Sequence, residues 1–159
     1  MKHQSLFLAF LIWMLTSVCS AAEESLNIPA DIKPILKKEM LAVEKGMQEL
    51  ISSMAKGDWD KTVAIGKQIQ ASYIMKQTLT SEQRKQLHQS LPKQFIKQDH
   101  AFHHYAGMLA HAAEVKNLDV MNFYFYKMNE SCVQCHSRYA LERFPAFATQ
   151  SADHSAKNH

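Results

Sequence analysis

Glycine and proline are both scarce, four of each in 159 residues. Strand-type alternation of apolar and polar residues is missing as well, persisting nowhere for more than a few positions, so a turn-dense β architecture is not expected. Cysteine is sparse too. The three thiols are Cys19, Cys132 and Cys135, too few and too unevenly placed for the disulfide framework of a small secreted scaffold. There is no strong charge imbalance: 18 Lys and Arg stand against 15 Asp and Glu. A field suited to nucleic acid or to an anionic membrane is therefore not implied. The longest apolar run, Leu6 to Leu15, is too short to span a bilayer. The length allows one domain and little more.

What is present begins with an address. Lys2 and His3 give a short basic start, the Leu6–Leu15 run follows, and the small residues Ser20, Ala21 and Ala22 precede the acidic pair Glu23 and Glu24. That order is the order of a secretory signal peptide. Residues 1–22 are expected to be removed, with cleavage after Ala21 or Ala22, and the mature chain is expected in the periplasm, with no membrane attachment once the signal is gone. Cys19 leaves with the signal, so the mature chain keeps Cys132 and Cys135, and losing Lys2 leaves 17 basic residues against 15 acidic ones.

Helical periods dominate residues 23–145. Leu36, Met40, Val43, Met47, Leu50 and Met54 step by four and three and share one face of a first helix, with Asp31 as its N-cap, Pro34 in its first turn and Gly57 past its end. A second helix is expected from Trp59 to Met75, with Trp59, Val63, Gly66, Ile69 and Tyr73 inward. Thr80 and Gln83 have capping-box spacing and mark a short extra helix. Pro92 suits the first turn of a third helix, whose stripe reads Phe95, Phe102, Tyr105, Leu109 and Ala112. Asn117 caps a fourth, with Met121, Phe125, Met128, Cys132, Cys135 and Tyr139 inward, running to Phe144 and stopped by Pro145. Residues 146–159 are small and polar and read as a disordered tail. Four long amphipathic helices with short joins predict an all-α antiparallel four-helix bundle.

The chemistry concentrates in Cys132-Val133-Gln134-Cys135-His136. Two thiols one helical turn apart, followed at once by a histidine, match the pattern for covalent haem attachment. Each thiol can add to one haem vinyl group, and His136 is then placed as the proximal axial ligand of the iron. Two other uses of paired cysteines stay open. A redox-active pair would sit at a helix start after a strand. A zinc site would need another ligand, which His100, His103 or His104 could supply.

A four-helix domain with this motif in its last helix resembles the class II cytochromes c, the cytochromes c-prime and their low-spin, methionine-ligated relatives. The resemblance covers roughly Asp31 to Phe144 in layout, and its specific motif is Cys132 to His136. It implies a periplasmic protein with one haem c and its iron. Relatives of this class often pair through two helices, so it also allows a homodimer. The stretch between Thr78 and Leu91 is an insertion relative to the simplest layout.

Arg138 is a candidate contact for a haem propionate, and Arg143 reads either that way or as part of a solvated face. If the first and fourth helices are antiparallel, Met40 falls level with His136 and is the candidate sixth ligand. His103 or His104 is its rival, and core packing is the plainer role for all such methionines. No Ser/His/Asp set or carboxylate pair accompanies the motif, so an enzyme is not expected. The leading expectation is a one-electron carrier with a redox partner protein. A five-coordinate cytochrome binding nitric oxide or carbon monoxide is the second reading, and an exported metal- or redox-responsive helical module without haem is the third.

Overall fold

In a computed structural model the chain is all-helical and carries no strand among the described residues, which are 26–148. The expected signal peptide and most of the polar tail lie outside that range. The helices are α1 (Lys33–Ala55), α2 (Trp59–Gln70), α3 (Met75–Thr78), α4 (Ser81–Ser90), α5 (Lys93–Glu114) and α6 (Leu118–Tyr139). None of them is long and apolar enough to cross a membrane.

The ends of these helices follow from local chemistry. Gly57 takes φ +66 past the end of α1, a conformation that costs glycine nothing. Asp58 then caps α2 by accepting from Lys61 N–H at 3.1 Å. Thr80 and Gln83 form the reciprocal capping box that opens α4, and Asn117 accepts from Val120 N–H at 3.1 Å to open α6. Pro92 stands at the N-cap of α5, one step before its first turn.

Three ends differ from expectation. Asp31 does not cap α1; Ile32 does, with no side-chain bond. The Asp31 carboxylate instead accepts from Gln83 Nε2 at 2.9 Å and ties the start of α1 to α4. Helix α2 ends at Gln70 rather than Met75 because another acceptor takes over. Ser72 turns to φ +58, and the Glu39 carboxylate then accepts from the backbone N–H groups of Tyr73 (2.9 Å), Ile74 (2.6 Å) and Met75 (3.0 Å). Helix α6 ends at Tyr139, five residues short of Phe144, where Ala140 leaves the helical region. Residues 140–144 fold back as a turn closed by Phe144 N–H to the Ala140 carbonyl at 2.9 Å.

Packing brings α1 onto α2, α2 onto α5 and α5 onto α6. Leu50, Ile65, Ile69, Leu109, Met121 and Met128 form the centre of the core. Gly66 marks the closest approach of α2 and α5: a Cβ there would lie 3.0 Å from both the Ala106 carbonyl oxygen and the Ala110 Cβ. The face that α2 buries is Thr62, Ile65, Gly66 and Ile69, so Trp59 and Val63 pack at its margin. The Thr62 hydroxyl is satisfied by the Asp58 carbonyl at 2.8 Å beside Ser53 Oγ at 2.9 Å, so this polar pair is buried without an unmet bond.

Helix α1 also turns a slightly different face inward. Glu39, Val43, Gly46, Leu50 and Ser53 are buried, while Met40 is 43% exposed. A second apolar cluster of Ile32, Leu79 and Leu87 docks the insert between α2 and α5 onto the start of α1. Among the described residues α1 has no close packing on α6 to match its packing on α2. That side of the molecule is the looser one.

Candidate functional site

The last two turns of α6 carry Cys132, Cys135 and His136. The helix is anchored by Met121, Met128 and Tyr139, all buried, which fixes which face turns toward α5. Tyr139 meets Phe95 of α5 edge-on, with ring centroids 5.3 Å apart and planes 76° from parallel. Cys132 and Cys135 are half-buried and free, with no disulfide between them.

Their environment suppresses thiolate chemistry. Burial pushes the Cys132 thiol up. Burial, and then the negative charges of Asp99 and Cys132, push Cys135 up to about 11. A redox-active pair has the opposite tuning, with a thiolate stabilised at a helix start. Both sulfurs here are protonated at neutral pH and sit at the far end of a 22-residue helix.

His136 lies flat against Phe144, centroids 4.2 Å apart and planes 15° from parallel. Burial lowers its pKa, the Arg143 charge lowers it further, and Glu44 of α1 partly opposes both. The imidazole is held neutral, which is the form that offers a lone pair to a metal. The charge of Glu44, on α1, thus reaches His136. Met40 is one turn from Glu44 on the same helix.

A cavity of about 390 Å³ lies between α1, the insert and α5, and no residue of α6 is among its lining. Leu36 and Met40 of α1, Phe95 and His103 of α5, and Leu79 and Leu87 of the insert are among its walls. Phe95 and Asp99 line the cavity; Phe95 also meets Tyr139 of α6, and the charge of Asp99 reaches Cys135.

The histidines expected near the site separate. His103 faces the cavity with both nitrogens engaged. It donates from Nδ1 to the Ile69 carbonyl at 2.6 Å, and its Nε2 is 3.6 Å from Asp99 Oδ1. Burial pulls its pKa down, but the Asp99 carboxylate and the Ile69 carbonyl outweigh burial and hold it above the usual histidine value. His104 is exposed and His100 stands exposed at the cavity rim. Arg138 is exposed and lies over the Tyr139 ring, 5.5 Å from its centroid. Arg143 lies over Phe144 at 5.8 Å.

Among the described residues no three His, Cys, Asp or Glu side chains gather as a direct metal site would require. A haem iron needs no such cluster, because the porphyrin supplies four of its donors. Glu39 is the residue that sequence reasoning missed. It interrupts an apolar stripe by one position, and nothing in its spacing marks a carboxylate that organises a loop 34 residues away. No protein-family model, curated protein or solved structure matches the chain.

Proposed function

We propose that this chain is an exported, periplasmic c-type cytochrome, an antiparallel four-helix bundle with its haem motif in the last helix, and that it carries single electrons. The observation that carries the reading is the run Cys132–His136 on the last turns of α6. Both thiols there are free, half-buried and held protonated.

The residues present fit a covalent haem. Cys132 and Cys135 are one helical turn apart, a spacing that suits the two vinyl groups of the macrocycle. Each S–H adds across one vinyl double bond, sulfur to one carbon and hydrogen to the other. The addition needs no oxidant and releases no leaving group. When bound, haem supplies a reversible one-electron iron couple whose potential depends on axial ligands and burial.

The protein's own part is to hold and to shield. His136, kept neutral and backed by Phe144, is the proximal ligand in this reading. Met40 is the better sixth-ligand candidate. Met40 lines the cavity and is 43% exposed rather than consumed by the core. His103 already has a partner at each ring nitrogen. Methionine opposite histidine raises the potential of a carrier. Leu36, Leu79, Leu87 and Phe95 give the cavity apolar walls.

The elevated thiol pKa values disfavour the reading of a thiol redox module. Haem staining after denaturing electrophoresis tests the cofactor, and oxidised and reduced spectra with and without carbon monoxide test the ligand set. A carrier should give a low-spin spectrum insensitive to carbon monoxide. An unstained band would refute the haem reading, and a high-spin spectrum responsive to carbon monoxide would replace electron transfer with gas binding.

A further inference from the structure

The insert between α2 and α5 encloses space instead of filling it. Its side chains Leu79 and Leu87 dock on Ile32 at the start of α1. Glu39 of α1 and Asp31 just before that helix also bond to it. Against α5 the insert has no comparably close packing among the described residues. The gap is the cavity of about 390 Å³, a volume suited to a small molecule. Leu36, Leu79, Leu87, Leu91, Phe95 and Ile96 give it apolar walls. No residue of α6 lines it, so it stands apart from Cys132, Cys135 and His136 whatever cofactor they hold.

The charged groups of the cavity are divided between its walls. Lys76 of α3 and Arg84 of α4 line the insert side and are exposed. Among the described residues no carboxylate pairs with either. The two carboxylates in the lining belong to the facing wall, and both are engaged. Glu39 of α1 holds three backbone N–H groups, and Asp99 of α5 faces His103. Arg84 is also fixed in place. Its Nη1 donates to the carbonyls of Leu79 (2.8 Å) and Lys76 (3.3 Å), and its Nη2 donates to Ser81 Oγ at 3.3 Å. Guanidinium has five N–H donors in a rigid fork, so these bonds orient the group without exhausting it.

We infer that this cavity is a ligand site separate from the Cys132–His136 motif, and that it takes a small monocarboxylate with an apolar body, such as a medium-chain fatty acid or an aryl-substituted acid. The inference does not rest on the haem reading. The apolar body lies among Leu36, Leu87, Phe95 and Ile96, and the carboxylate meets the Arg84 fork and the Lys76 ammonium. A carboxylate gains charge-assisted hydrogen bonds there, roughly twice as strong as neutral ones. An alcohol of the same length forgoes that gain, and a cationic amphiphile meets like charge. The walls supply affinity and the cations select the head group.

The test is calorimetric titration of the full mature chain at neutral pH with decanoate, 3-phenylpropanoate, decanol and decyltrimethylammonium. At least one of the two acids should bind saturably, one molecule per chain, and shift the methyl NMR signals of Leu87 and Ile96. The tighter acid names the apolar body. Decanol should bind roughly tenfold more weakly than decanoate, and the ammonium more weakly still. Arg84→Gln and Lys76→Gln should each weaken the acid by up to about tenfold and leave decanol unchanged. Lys85→Gln removes the same charge from an exposed position outside the lining and should change nothing. Ile96→Trp, which fills the cavity, should abolish binding of the acid.

Absence of saturable binding by either acid overturns the inference. So does decanol or the ammonium binding as tightly as the acids, which would make the cavity a site for apolar chains of any head group. Equal affinities in Arg84→Gln, Lys76→Gln and Lys85→Gln overturn it too, as does binding that leaves the Leu87 and Ile96 signals in place. If Arg84→Gln does not fold, Lys76→Gln decides alone, because among the described residues no hydrogen bond of its ammonium holds the insert together.

Discussion

The imidazole of His136 lies stacked on the ring of Phe144, 4.2 Å away and 15° from parallel. The early end of α6 at Tyr139 makes this contact, because the turn over 140–144 brings Phe144 back across the helix end. The stack covers one face of the histidine and fixes its plane. Phe144→Ala should leave haem attachment intact, since both thiols remain. It should cost about 1 kcal/mol of stability from the lost ring contact. In haem-free protein it should also let the His136 pKa rise, because burial is the main cause of its depression. Urea unfolding and a histidine NMR titration check both.

Replacing Met40 with alanine should convert a low-spin spectrum to a five-coordinate one that binds carbon monoxide. Stability should change little, because the side chain is 43% exposed. A wild-type protein already high-spin, or a low-spin spectrum untouched by the substitution, would return Met40 to a packing role. His103 would then be the residue to substitute next.

Glu39 is 2% exposed and its carboxylate accepts three backbone N–H bonds from the start of the insert. Glu39→Gln removes the charge that strengthens those bonds and should cost about 1.5–3 kcal/mol. Glu39→Ala leaves the donors without an acceptor and should cost more. Thermal unfolding measures the loss, and faster amide hydrogen exchange at Tyr73, Ile74 and Met75 locates it.

His103 makes stability depend on pH in a defined direction. Burial lowers its pKa, yet the Asp99 carboxylate and Ile69 carbonyl raise it above the ordinary value overall. The protonated form is therefore favoured by folding. The contribution is complete below the unfolded histidine value of about 6.5 and is lost as pH rises through the elevated folded value. Asp99→Asn removes the largest of the causes that raise the His103 pKa, so that pKa should fall and this contribution should shrink. Denaturation at several pH values, with NMR titration of His103, shows whether it does.

Much of the helical plan was legible in residue spacing. The capping residues Asp58, Thr80 and Asn117 act through ordinary local bonds, and two of them, Thr80 with Gln83 and Asn117, could be read directly. What spacing hid was competition from a distance. Glu39 captures the backbone that a longer α2 would have used, and Asp31 leaves its capping position for Gln83. The apolar stripe of α1 likewise overstated Met40, since periodicity places a residue on a face but not at its centre. The motif Cys132–His136 was plain in the sequence. The cavity was not, because Met40, Leu87 and Phe95 come from three separate helices that only the fold brings together.

The most direct test of the central claim is the intact mass of the chain, matured by export in cells that attach haem to exported cytochromes and then denatured. The expected mass is that of the processed polypeptide plus one haem, falling to the bare polypeptide when Cys132 and Cys135 are both changed to serine. A wild-type mass equal to the bare polypeptide, in cells that mature a control cytochrome normally, would contradict the account.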